Sequence, residues 1–207
     1  MKLSNTFLSI LLVMLTSNLL FSQTENTTKE AEKISKKIKR IQDQEDKYLN
    51  SGILWMKLDE AERFSKKYET PMLIYFWRPN CEYCDRMRTE TLSNPEIIEF
   101  INQNFYPVLV NAKGKDTITY NGKKFSNQQP INEGFHWRHD FFHELFEENP
   151  RQKGYIYPTT CIVDGEYNMI KQLYGFQPKM QFERGLKQSV KKNKGAAAPL
   201  FFFGWLM

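Results

Sequence analysis

Cys81-Glu82-Tyr83-Cys84 is the one cluster of residues whose types and spacing suggest covalent chemistry. Thiol–disulfide exchange needs a thiolate that attacks and a second thiol near enough to resolve the mixed disulfide. Two intervening residues on the first turn of a helix bring the sulfurs within bonding reach. That position sets Cys81 against unpaired backbone N–H groups and the positive end of the helix, which favour the thiolate. Cys84, one turn deeper, is the expected resolving thiol. A structural disulfide or half of a zinc site would use the same spacing. A zinc site normally asks for four ligands, and Cys161 with three histidines are the remaining donors of those types.

The histidines form a second candidate. His136, His139 and His143 fall at spacings of three and four, which place them on one face if the segment is a helix. Such a face could bind zinc or copper, alone or with the dithiol, in a binding module for metal delivery or protein capture. The rival reading is a partly exposed aromatic helix, since Phe135, Trp137, Phe141, Phe142 and Phe146 surround them; a third keeps His143 near the thiols as a proton carrier. Cys161, in an apolar stretch, reads as a buried small hydrophobe, with a third redox thiol as the alternative.

The elements that must position the dithiol follow from pattern. Met72 to Trp77 is a continuous apolar run bounded by Pro71 and Pro79-Asn80, the pattern of a strand buried on both faces. The CxxC follows directly, and Arg86 to Leu92 continues it as helix. Asn94-Pro95-Glu96 caps another helix, and Phe105 to Val110 is a further strand. Strand, helix and strand in that order imply a right-handed crossover and a parallel pair. Ile53 to Met56 is a short strand candidate, followed by a helix opening at Asp59-Glu60. Residues 111–155 interrupt this order with a hairpin turning at Asn121-Gly122 and a helix over Arg138 to Glu148. Thr159 to Val163 and Asn168 to Tyr174 form an antiparallel hairpin, and a helix from Pro178 to Lys191 closes the domain.

The ends and the composition bound the rest. Met1-Lys2, the apolar stretch Phe7–Leu20, then Ser22 and a polar sequence follow the order of a secretory signal peptide over residues 1–22. The stretch falls short of the 20 or so apolar residues of a membrane anchor. Residues 23–50 read as a linker and a charged helix, with Ile34, Ile38, Ile41 and Tyr48 as a narrow apolar stripe. Residues 51–192 are one domain's length of chain. The apolar tail 195–207, too short to span a bilayer, could dock in a groove, touch a membrane surface or be a foreign addition. Basic and acidic residues alternate around a net charge of +5, with no basic stripe of the kind that binds nucleic acid. Three cysteines are too few for a disulfide scaffold.

From Ile53 to Lys191 the chain resembles the thioredoxin superfamily, in particular exported thioredoxin-like proteins with an insertion before the later proline. The resemblance rests on Phe76-Trp77, Cys81-Glu82-Tyr83-Cys84, Asn94-Pro95-Glu96, Asn104-Phe105-Tyr106-Pro107-Val108, Tyr157-Pro158-Thr159-Thr160 and Gly175. It implies an α/β fold, a central mixed sheet flanked by helices, here with an N-terminal helical extension and an inserted hairpin plus helix. It implies an exported, periplasmic thiol–disulfide oxidoreductase, a reductase or isomerase rather than an oxidase, with Cys81 and Cys84 catalytic. Trp77, Tyr83, Tyr157 and Pro158 would contact substrate, Tyr157–Pro158 as a cis peptide facing the dithiol. Its partners would be protein thiols or disulfides and a redox partner that resets the pair. No organic cofactor is needed, because the electrons reside on the sulfurs. The chain departs from thioredoxin itself in carrying Tyr75 where that protein has a buried acid, and Asn80 and Glu82-Tyr83 around the cysteines.

Overall fold

A computed structural model describes residues 5–127 and 138–193, with side chains from residue 27 onward. It divides into two compact units, Met1–Glu45 and Asp46–Met207. The first is a single helix, the main part of α1 (Asn5–Leu49). That helix runs unbroken into residues 23–50, where a linker before the charged helix is expected. Lys and Glu in this stretch are good helix formers, and pairs such as Glu32–Lys36 at 2.7 Å add i,i+4 support. Among the described residues, no helix is long and apolar enough to cross a membrane.

The second unit is built on β1 (Met72–Trp77), every residue of which is buried. Parallel to it lies β2 (Tyr106–Asn111), in a register pairing Ile74 with Val108. On its other side β5 (Thr159–Val163) runs antiparallel, and β6 (Met169–Tyr174) follows it. The order β2-β1-β5-β6 gives one mixed sheet. Because side chains alternate across a strand, β1 serves two cores at once. Leu73, Tyr75 and Trp77 enter one, with Ile97, Ile101, Phe105, Phe182 and Leu186. These come from α4 (Pro95–Asn104), its C-cap Phe105 and α6 (Lys179–Lys192). Met72, Ile74 and Phe76 enter the other, with Ala61 of α2 (Leu58–Tyr68), Val108, Cys161, Phe141 and Phe142.

Phe141 and Phe142 belong to α5 (Asp140–Leu145), so the inserted segment fills the second core. Its hairpin, β3 (Ile118–Tyr120) and β4 (Lys123–Phe125), turns at Asn121 and Gly122, both at positive φ (49° and 73°), as a type I′ turn requires.

Two expected elements differ. Ile53–Met56 is not a strand: Trp55 N–H turns back to the Ile53 carbonyl, and Met56 alone bridges to β2 at Val108. The helix expected over Arg138–Glu148 shrinks to α5. His139 caps its start in an extended conformation, and the chain leaves at Phe146 before a bridge between Asn149 and Gln152. His139 therefore caps α5 and does not lie on a helix face with His143, while His136 lies outside the described residues.

Candidate dithiol site

Pro79 and Asn80 end the chain's run off β1, with Asn80 at a φ of 54°. Cys81 then acts as N-cap of α3 (Glu82–Arg86), its sulfur accepting from Cys84 N–H at 3.1 Å. The helix continues as a π-helical turn, Met87–Thr91, in which Leu92 N–H reaches the Met87 carbonyl. Cys81 and Cys84 are joined as a disulfide. Cys81 is 4% exposed and Cys84 1%. Both are thus largely covered, Cys81 being the outer of the two. The N–H at the Cys81 sulfur and the start of the helix both favour a thiolate there once the bond is reduced. Glu82 and Asp85, exposed in the first turn, oppose it.

Under the disulfide lies an aromatic layer. The Tyr48 ring sits 5.2 Å from Trp77 and 5.7 Å from Tyr75, and Trp55 lies 6.1 Å from Tyr75. The Tyr48 hydroxyl donates to the Cys84 carbonyl at 3.0 Å. Burial pushes the Tyr48 hydroxyl up to about 12 and that of Tyr75 well above its ordinary value, with the neighbouring Tyr48 adding to the rise. Tyr75, standing where a proton-relaying acid is found in thioredoxin, therefore keeps its proton throughout the physiological range. Trp77 is 1% exposed. Its ring packs on Tyr48 within the core that holds both cysteines. Tyr83 is exposed (56%) beside the disulfide.

Tyr157–Pro158 is a cis peptide. The register that pairs Phe76 with Thr159 sets Pro158 across from Trp77, at the sheet end from which the CxxC departs. Tyr157 packs against the same core cluster as Cys81 and Cys84. Its ring stacks on Phe142 at 5.0 Å and 22°, and the Arg78 guanidinium lies 5.7 Å from its centre.

The remaining candidates lie elsewhere. His139 is fully buried and spent on the fold. Its Nδ1 accepts from Phe141 N–H at 3.1 Å, so Nε2 carries the proton and donates to the Asp116 carbonyl at 2.7 Å. His143 meets Tyr155 through Nδ1 at 2.9 Å. His136 lies outside the described residues, as does the tail 195–207. Among the described residues no three His, Cys, Asp or Glu side chains form a group able to hold a metal. Cys161 is a free, fully buried thiol whose pKa burial raises strongly. Tyr48 is the site residue missed by sequence reasoning. Its place on the apolar stripe of α1 was the available signal, but that stripe did not say which of its members would be buried.

A four-stranded mixed sheet with a CxxC disulfide at a helix start beside a cis proline defines a dithiol protein of thioredoxin architecture. The chain belongs to the thioredoxin-like domain family, whose model matches residues 58–189. It is similar in structure to a thioredoxin from Thermus thermophilus, with 20% identity over 69% of this chain and 91% of that one (TM-score 0.48). It is similar also to DsbH oxidoreductase, with 19% identity over 67% and 85% (0.45). For the reduced C-terminal domain of Neisseria meningitidis DsbD the values are 18% over 64% and 93% (0.40). An uncharacterized protein of Archaeoglobus fulgidus is 29% identical over 63 residues, 30% of this chain. The chain spans about half the length of that curated relative. The thioredoxin-like fold and the CxxC pair are together consistent with a thiol–disulfide oxidoreductase.

Proposed function

We propose that this protein is an exported reductase or isomerase of protein disulfides, working through Cys81 and Cys84. The observation that carries the reading is the Cys81–Cys84 disulfide itself, formed across the first turn of α3 at the sheet end shared with Tyr157–Pro158. Cys81, the outer sulfur, is the nucleophile and Cys84 resolves. The exposed Tyr83 ring and the Tyr157–Pro158 segment meet the substrate, whose extended backbone pairs along Tyr157. Glu82 and Asp85 offset part of the thiolate stabilisation at the helix start, which favours the disulfide over the dithiol and supports the reducing direction. Residues 1–22 direct export to the periplasm or its equivalent and are removed; residues 51–192 form the working domain. A separate dithiol partner resets the pair after each turnover.

With dithiothreitol as the electron source, the protein is expected to accelerate reduction of insulin disulfides, and Cys81→Ser to abolish the acceleration. Its equilibrium with glutathione is expected nearer the thioredoxin potential, about −270 mV, than the DsbA value, about −120 mV. Equal activity in Cys81→Ser would overturn the mechanism. A potential at the oxidising end would overturn the direction.

A further inference from the structure

We infer that Tyr48 is a positioning residue for the resolving step, holding Cys84 in place through its main chain. The inference rests on the oxidoreductase reading of Cys81 and Cys84. Tyr48 is 2% exposed, and its hydroxyl donates to the Cys84 carbonyl at 3.0 Å in a buried contact 36 residues away in sequence. That carbonyl sits where the helix changes register. Met87 N–H also donates to it, shared with the Tyr83 carbonyl, and the π-helical turn begins at Met87. A carbonyl at such a junction has a weakened helical partner, and a second, buried donor fixes it.

Tyr48 is itself fixed from several sides. Its ring packs on Trp77 and Tyr75, its own carbonyl accepts from Trp55 Nε1 at 2.9 Å and from Ser51 N–H at 3.0 Å, and Arg88, ion-paired with Asp85 at 3.5 Å, lies 6.0 Å from its ring. The hydroxyl therefore cannot follow Cys84 if the α3 backbone shifts.

The consequence falls on one step of two. In reducing a substrate disulfide, the Cys81 thiolate attacks one substrate sulfur. A Cys81–substrate mixed disulfide forms and the other substrate sulfur leaves as thiolate. Cys84 then gives its proton to solvent and attacks the Cys81 sulfur, closing the intramolecular disulfide and releasing the second substrate thiolate. Two electrons pass from the dithiol to the substrate. The second step depends most on how closely the Cys84 backbone is held against Cys81, since orientation sets the effective concentration of an intramolecular nucleophile, whereas the first feels it only through the Cys84 N–H at the Cys81 sulfur. The first step involves Cys81, whose sulfur Tyr48 does not bond.

The test uses the full, reduced chain mixed with 5,5′-dithiobis(2-nitrobenzoate) in a stopped-flow instrument. The reagent releases one thionitrobenzoate when Cys81 attacks and a second when Cys84 resolves. In Tyr48→Phe, which keeps the ring and removes the donor, the first release is expected to hold its rate within about twofold. The second is expected to slow by about fivefold, the worth of one buried hydrogen bond. The equilibrium with glutathione is expected to move by the same factor toward the dithiol, about 20 mV. Incorporating 3-fluorotyrosine at position 48 keeps the ring and the donor and is expected to restore the wild-type split, which guards against a variant that is merely misfolded. An unchanged second release in Tyr48→Phe overturns the inference, as does equal slowing of both releases that fluorotyrosine fails to rescue. Absence of the paired releases in the wild-type protein is a different result: it removes the oxidoreductase reading, and the inference with it.

Discussion

At the residue scale the three cysteines divide by environment. Cys161, fully buried in β5, has its thiol pKa raised strongly by desolvation, and the thiolate is the reactive form. Reduced native protein is therefore expected to alkylate at Cys81, the outer thiol, with iodoacetamide while Cys161 labels only in denaturant. Mass mapping of the labelled peptides checks this, and native labelling of Cys161 at a comparable rate would contradict it. His139 divides from His143 in the same way. His139→Ala removes a cap and leaves the Asp116 carbonyl without that donor, a loss of about 2 kcal/mol readable in urea unfolding. The rate of disulfide exchange is expected to stay unchanged. The CxxC was legible from its spacing taken with the apolar run before it and Tyr157-Pro158-Thr159 after it, because two thiols on one helical turn can meet. The place of His139 was not legible for a local reason: an imidazole with a free lone pair caps a helix start, and here it begins α5 in place of lining it.

At the element scale, the turn between β5 and β6 is held close to α2. A Cβ added at Gly165 would stand 2.7 Å from the Ser65 carbonyl oxygen, a main-chain atom that cannot swing aside. Gly165→Ala is expected to cost about 2 kcal/mol, measured as a lower urea midpoint at unchanged slope. A midpoint equal to wild type would show that the turn and α2 separate easily. The run Met72–Trp77 was legible as a strand buried on both faces because both of its faces are apolar. The failure at Ile53–Met56 came from neighbours: four apolar residues suit a strand, but a strand needs a partner along its length, and here only Met56 meets one.

At the scale of the whole molecule, the second unit buries several tyrosine hydroxyls. Burial raises Tyr48 and Tyr157 to about 12 and lifts Tyr75 and Tyr120 well above the ordinary tyrosine value. A raised native pKa means that the folded chain holds protons which the unfolded chain releases from about pH 10. Stability from these groups is thus complete below pH 10 and declines as pH rises from 10 toward the native values. The thermal midpoint is expected to be flat between pH 7 and 9 and to fall above 10, with tyrosinate absorbance appearing together with unfolding. Tyrosinate appearing near pH 10 in folded protein would show these rings to be solvated.

The sequence by itself determined the α/β order, the dithiol and its helix start, the Asn121-Gly122 hairpin and the burial of β1 and Cys161. Each of these follows from residues adjacent in the chain: apolar continuity, turn chemistry and the spacing of two thiols. Only the tertiary structure decided that the inserted α5 fills the second core, that Trp77 lies beneath the site, that His139 is consumed as a cap, and that Tyr48 reaches Cys84. Those depend on contacts between segments far apart in sequence, where many side chains of suitable type compete for one place and packing selects among them.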